Sequence, residues 1–156
     1  MSASLAVERV RAALREKGVD TEIVEFAQST RTAQEAADAI GTSVAQIVKS
    51  LVFVAGGRPF LALVSGANQA DTDKLAALMG APVERADART VREATGFAIG
   101  GVPPVGHATS LVTFIDQDLL QFEEVYAAAG TPHAIFRIAP QELVRITGGR
   151  VVALAR

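Results

Sequence analysis

The sequence predicts an α+β fold: a mixed, partly barrel-like sheet of six or seven strands surrounded by helices. Three observations predict it. Ile47–Ala55, IVKSLVFVA, is apolar on both faces, as a strand in the middle of a sheet is. Gly56-Gly57 follows at once and residues 59–65, PFLALVS, return, so these two strands form a hairpin, which a purely parallel doubly wound sheet lacks. The remaining short apolar runs are interleaved with segments of helical period that carry clear start and stop signals.

The elements follow in order. Residues 4–17 place Leu5, Val7, Val10, Ala13 and Leu14 on one helical stripe, and Gly18 ends it. Residues 21–26 alternate and form a strand. Thr32-Ala33-Gln34-Glu35 has the form of a capping box, opening a helix that runs to Gly41. Ser43-Val44-Ala45-Gln46 repeats the signal over a short turn before the hairpin. A helix spans 71–79 and closes at Gly80; a short strand spans 83–86; a short helix spans 87–94 and ends near Gly96. Residues 97–106 are a Gly/Pro loop and 111–116 a strand. Residues 118–129 are expected as a helix ending at Gly130 and 134–138 as a strand. Pro140 then takes the first position of a helix, and 151–154 form a last strand.

Length and composition bound the rest. A chain of 156 residues with 49% hydrophobic and 21% charged residues suits one domain, expected over residues 1–156. No apolar run approaches the ~20 residues of a membrane helix, and residues 1–11 lack a signal-peptide core, so a cytoplasmic protein with no membrane partner is expected. Absence of cysteine excludes disulfides, thiolate metal sites and a cysteine nucleophile. Two histidines, His107 and His133, make a thin ligand set, so no metal is expected. The net charge of −2 comes with no basic run, which argues against DNA or long RNA as a partner and leaves room for a short RNA end.

A few residues could carry chemistry. Alternation puts Lys49 in a row with Ile47, Leu51 and Phe53. Such a lysine either reaches the surface and guards a sheet edge, or sits in a pocket with an anion or a carboxylate. Residues 100–106, GGVPPVG, form either a rigid surface turn or a loop whose amides face an oxyanion or phosphate. Ser65-Gly66 follows a strand and could line a pocket, but there is no Gly-x-Ser-x-Gly elbow around Ser65. His107 and His133 are bases or packing residues. Asp116, Asp71 and Asp73 are acids or helix caps.

In their order along the chain these segments resemble the YbaK/ProX family of aminoacyl-tRNA deacylases, which includes the editing insertion of bacterial prolyl-tRNA synthetases. The similar stretches are residues 32–37 (TAQEAA), 46–53 (QIVKSLVF) and 95–106 (TGFAIGGVPPVG), with weaker matches at Ile115-Asp116, Ala129-Gly130 and 140–143. The resemblance implies that Lys49, Gly100 and Gly101 serve catalysis, and that Thr32, Ser50, Ser65, Gly66, Pro104 and His133 bind substrate. It implies hydrolysis in trans of a mischarged aminoacyl-tRNA, assisted by groups of the substrate and free of metal or organic cofactor. The partners it implies are the aminoacyl-tRNA acceptor end and an aminoacyl-tRNA synthetase. The cysteine-directed branch tends to carry an acid in the strand that here reads Ala134-Ile135-Phe136, and His133 resembles a histidine of alanine-directed domains. Seryl-, threonyl- or alanyl-tRNA is therefore the expected substrate. The competing readings are a non-catalytic tRNA- or synthetase-binding module of the same fold and a small-molecule ester or amide hydrolase or unrelated nucleotide-binding protein.

Overall fold

A computed structural model describes residues 3–156, with side chains from Leu5 onward. In chain order the elements are α1 (Ala3–Glu16), β1 (Ile23–Glu25), α2 (Ala33–Ile40), a 3₁₀ turn (Val44–Gln46), β2 (Ile47–Ala55) and β3 (Arg58–Ser65). Then come α3 (Thr72–Met79), β4 (Val83–Arg85), α4 (Ala88–Thr95), β5 (Thr113–Asp116) and a second 3₁₀ turn (Gln117–Gln121). The chain closes with β6 (Val125–Ala128), β7 (Ala134–Ile138), α5 (Pro140–Thr147) and β8 (Arg150–Val152).

The local signals act as their chemistry requires. The Thr32 hydroxyl accepts the Glu35 amide at 3.1 Å and the Glu35 carboxylate accepts the Thr32 amide at 3.1 Å, which completes the capping box of α2. Asp71 and Asp87 cap α3 and α4 through their carboxylates.

The strands form one mixed sheet in the order β1-β7-β6-β2-β3-β5-β8, with β4 attached separately to β2. The hairpin β2–β3 is antiparallel over eight pairs, from Val48↔Ser65 to Ala55↔Arg58. The pairs β2–β6, β3–β5 and β5–β8 are parallel. Apolar residues of α1, α4, α5 and the 97–106 loop pack on the sheet face that carries Val48 and Val52. Leu75 of α3 packs with Phe53, Phe60 and Phe114, and Ala36 and Ala37 of α2 pack with Ile47 and Ile135. No helix among the described residues is long and apolar enough to cross a membrane.

One expected element is replaced. The helix expected over 118–129 is a 3₁₀ turn followed by β6, so the strands number eight among the described residues. The stretch is rich in helix formers, but Val125, Ala127 and Ala129 are buried, at the period of two that a strand requires. β6 pairs with β7 along its whole length and with the start of β2 at Ile47↔Tyr126 and Val48↔Ala127. A helix there would leave those buried backbone groups of β2 and β7 unpaired, and this cost outweighs local propensity.

Candidate active site

The site begins with an interruption in the sheet. On one side β2 is paired with β3 throughout. On the other, β6 leaves after Val48↔Ala127, and β4 arrives only at Phe53↔Arg85, one more bond joining the Ala86 amide to the Val52 carbonyl at 3.1 Å. Residues 49–51 have no strand neighbour on that side. A cavity of about 370 Å³ opens there, floored by Val48–Val52, with Ala127 and Ala128 of β6 at one end and Arg85 of β4 at the other. Thr30–Ala33 and Ala36 supply a wall from the start of α2, and Ile99, Gly100 and Val102 supply one from the Gly/Pro loop.

Three cations, Arg31, Lys49 and Arg85, line this cleft, and no Asp, Glu or His does. Burial lowers the Lys49 pKa; Arg85 lowers it further, and the carboxylate of Asp116 opposes them. The Lys49 ammonium donates to the carbonyl of Asn68. Ser50 presents a hydroxyl that is buried and has no hydrogen-bond partner. A buried polar atom without a partner costs about 1–3 kcal/mol, which makes it a natural place for a ligand to bond. Arg85 is held over the ring of Phe53, 5.5 Å from its centroid.

The Gly/Pro loop is a fixed wall. Thr95 donates to the Val91 carbonyl at 2.7 Å and accepts the Phe97 amide at 3.0 Å, which anchors the start of the loop. His107 Nε2 donates to the Pro103 carbonyl at 2.7 Å and anchors its end. Burial holds His107 below its usual pKa; the bond to Pro103 opposes this and Arg9 adds to it. Gly100 has φ 91°, and a β-carbon there would lie 2.8 Å from Cγ of Arg31, so glycine is required both by conformation and by space.

Of the residues singled out from the sequence, the structure brings Thr32, Lys49, Ser50 and Gly100 to the cleft wall. The others do not line it. Gly101 is packed against the backbone of Thr131, and its amide is given to Ala98 at 3.1 Å. Ser65 is buried, its hydroxyl donating to the Ala45 carbonyl at 2.6 Å and its amide to Asp116 at 3.1 Å. Gly66 is close-packed against Val44, Ala33 and Ile47. Pro104 is buried within the loop. His133 is exposed, with Nδ1 3.0 Å from the Gln28 carbonyl. Asp116 caps the following 3₁₀ turn by accepting the Asp118 amide.

Arg31, Arg85 and Tyr126 are wall residues that the sequence did not disclose. Arg31 had a local clue, since it precedes a capping box and a helix start already faces anions. Arg85 had none: only the Phe53↔Arg85 register carries it to the cleft. Among the described residues no group of three or more His, Cys, Asp or Glu is placed to hold a metal ion.

Comparisons with known proteins show the family. The family model described as "Aminoacyl-tRNA editing domain" matches residues 27–146. A Bacillus subtilis protein, YwhH, is 29% identical over 148 residues, 94% of each chain. An Enterococcus faecalis protein named "Putative Cys-tRNA(Pro)/Cys-tRNA(Cys) deacylase EbsC" is 28% identical over 121 residues, 76% of this chain and 74% of that one. A crystal structure of "a putative trans-editing enzyme for prolyl tRNA synthetase" superposes with a TM-score of 0.93 at 50% identity, covering 100% of this chain and 99% of that one. With the match spanning the capping box, the lysine strand, the Gly/Pro loop and most of the sheet, the chain belongs to the aminoacyl-tRNA editing domain family, and its activity is that of an aminoacyl-tRNA deacylase.

Proposed function

We propose that the cleft receives the aminoacylated 3′-terminal adenosine of a mischarged tRNA and that the chain hydrolyses the ester in trans. One observation carries this reading: the gap beside β2 gathers Arg31, Lys49 and Arg85 around a cavity with no carboxylate on its wall. Such a field favours a phosphate-bearing ligand, and the cavity's modest volume suits the end of a strand rather than a duplex. Lys49 anchors the terminal phosphate or polarises the ester carbonyl. Gly100, which brings backbone close to the cavity without a side chain, faces the oxyanion, and Gly101 holds the turn behind it.

The wall carries no His, Asp or Glu to act as general base. The proton is therefore taken by the substrate itself, through the α-amine or the neighbouring ribose hydroxyl. Water oxygen bonds to the ester carbon, the ribose oxygen leaves, and the proton released by water ends on that oxygen. Positioning and oxyanion stabilisation suffice, because the ester is already activated.

On specificity, the reading is a small amino acid, serine, threonine or alanine. Since Ser65 and His133 do not line the cleft, the selecting hydroxyl passes to Ser50, whose unpartnered oxygen would bond a substrate hydroxyl. The Enterococcus relative is named for cysteinyl-tRNA, so cysteine is the decisive competitor. Association with prolyl-tRNA synthetase is proposed from the description of the similar crystal structure.

Deacylation of tRNA(Pro) charged with serine, threonine, alanine or cysteine tests the proposal. The expected order places seryl-tRNA first and cysteinyl-tRNA last. Cysteinyl-tRNA as the best substrate would overturn the specificity alone. Binding of every charged tRNA without hydrolysis would overturn the enzyme reading in favour of an adaptor.

A further inference from the structure

Beyond the cleft wall at Lys49 lies a polar chain that the proposed reaction does not use. The turn after β3 brings Asn68 under the lysine, and its carbonyl accepts from the ammonium. The Asn68 side-chain amide donates to Asp116 Oδ2 at 2.9 Å and to Asp118 Oδ2 at 2.8 Å. Its backbone amide donates to the Ser65 carbonyl at 2.9 Å. Asp116 is wholly buried at the end of β5, and also accepts the amides of Ser65 at 3.1 Å and Asp118 at 3.0 Å. Neither Asn68 nor Asp116 lines the cleft.

This arrangement is more than a turn needs. A buried carboxylate is costly unless its oxygens are satisfied, and here Asp116 Oδ2 accepts from the Ser65 amide and the Asn68 side chain while Oδ1 accepts from the Asp118 amide. A lysine is flexible, and holding its ammonium still costs rotamer freedom. Fixing the Asn68 backbone fixes the acceptor for one of the three ammonium protons, which leaves two for a substrate. The charged groups around Lys49 are Arg31 before α2, Arg85 on β4, Asp116 on β5 and Asp118 in the turn beyond. The arginines share the cleft wall with Lys49, and Asp116 is the negative charge acting against the loss of its proton.

We propose that Asn68 and Asp116 are positioning residues for Lys49: the buried carboxylate clamps the Asn68 side chain, and the Asn68 carbonyl aims the ammonium into the cleft. The inference rests on the role given to Lys49 above. The chain has three lysines, so replacing Lys17 and Lys74 with arginine leaves one lysine signal to follow by NMR. In that background, kcat and KM for a mischarged tRNA and the pH titration of Lys49 are measured for Asn68→Ala and Asp116→Asn. Asn68→Ala should lower kcat/KM about tenfold to a hundredfold, the range expected for a misplaced group. Asp116→Asn should move the Lys49 titration to lower pH and carry the alkaline limb of kcat/KM with it.

Single-turnover residual rates complete a double-mutant cycle: in a Lys49→Ala background, Asn68→Ala should cost nothing further. An equal loss in both backgrounds would show a purely structural role and overturn the proposal. So would normal kcat/KM in Asn68→Ala, or an unmoved Lys49 titration in Asp116→Asn. If Asp116→Asn does not fold, Asn68→Ala and the cycle decide. A fully active Lys49→Ala would instead sink the reading of Lys49 itself, an outcome distinct from all of these.

Discussion

The two sides of β2 share nine residues and differ in what they meet. Toward β3 there are eight consecutive pairs, and Leu61, Ala62, Leu63 and Val64 opposite are wholly buried. Toward β6 and β4 there are two pairs and three, with residues 49–51 between them facing a cavity. The closed side is continuous packing and backbone bonding. The open side holds a half-buried lysine and an unpartnered hydroxyl, features that stability alone would remove. Substitutions on the two sides should therefore separate folding from catalysis.

Lys49→Ala carries the largest expected effect: kcat/KM on mischarged tRNA falls by about 10²–10³, the loss typical of one electrostatic stabiliser. Its thermal midpoint at neutral pH should equal or exceed that of the parent. The sign follows from the lowered Lys49 pKa: the folded state holds this proton less well than the unfolded state, so the charged amine costs stability below its folded pKa. That cost fades as pH rises through the folded value toward the usual 10.5, and the variant's advantage should fade with it. A lower midpoint at neutral pH would give Lys49 a structural role.

Leu61→Ala, on the closed side, should show the reverse pattern. It removes a fully buried side chain opposite Val52 and should cost about 2–5 kcal/mol in urea unfolding. Activity per folded molecule should stay near that of the parent. Activity falling while the fold is retained would mean that the two sides are coupled.

Ser50→Ala sharpens the comparison within the open side. Removing a buried hydroxyl that has no partner should leave stability unchanged or raise it by up to about 1 kcal/mol. Seryl-tRNA hydrolysis should fall about tenfold, and alanyl-tRNA hydrolysis should change less. Equal losses on both substrates would assign Ser50 to the shared part of the substrate.

The smallest effects on catalysis are expected at Ser65 and His133. Ser65→Ala loses the bond to the Ala45 carbonyl and should cost about 1 kcal/mol of stability, with kcat/KM nearly unchanged. His133→Ala, at an exposed position, should change neither by much. A large loss of activity in either would extend the site beyond the cleft wall.

The residues legible in advance were those whose oddity is local. Lys49 stands out in an apolar row, and Gly100 in a Gly/Pro run; Thr32 and Ser50 sit in the stretches that carried the family resemblance, and all four reach the cleft. Ser65 and His133 were also polar residues at strand ends, yet a strand end has several sides, and theirs meet Ala45 and Gln28. Position along the chain places a side chain on a face but not against a neighbour. Arg31 and Arg85 show the same limit from the other direction: both are exposed arginines, and only the docking of α2 and β4 brings them to one cleft.

What the sequence determined by itself is what neighbours within a few residues can decide. The capping box at Thr32, the aspartate caps of α3 and α4, and the hairpin joining β2 to β3 each satisfy backbone groups with atoms close in the chain. The identity of β6, the order of the strands and the gap beside residues 49–51 were decided only by tertiary structure. Ala127-Ala128-Ala129 prefers a helix in isolation, and it is a strand here because β7 and the start of β2 offer backbone partners that a helix could not satisfy. The gap follows from where two distant segments stop pairing with β2, one at Val48 and the other at Val52, and each stopping point is set by packing far along the chain.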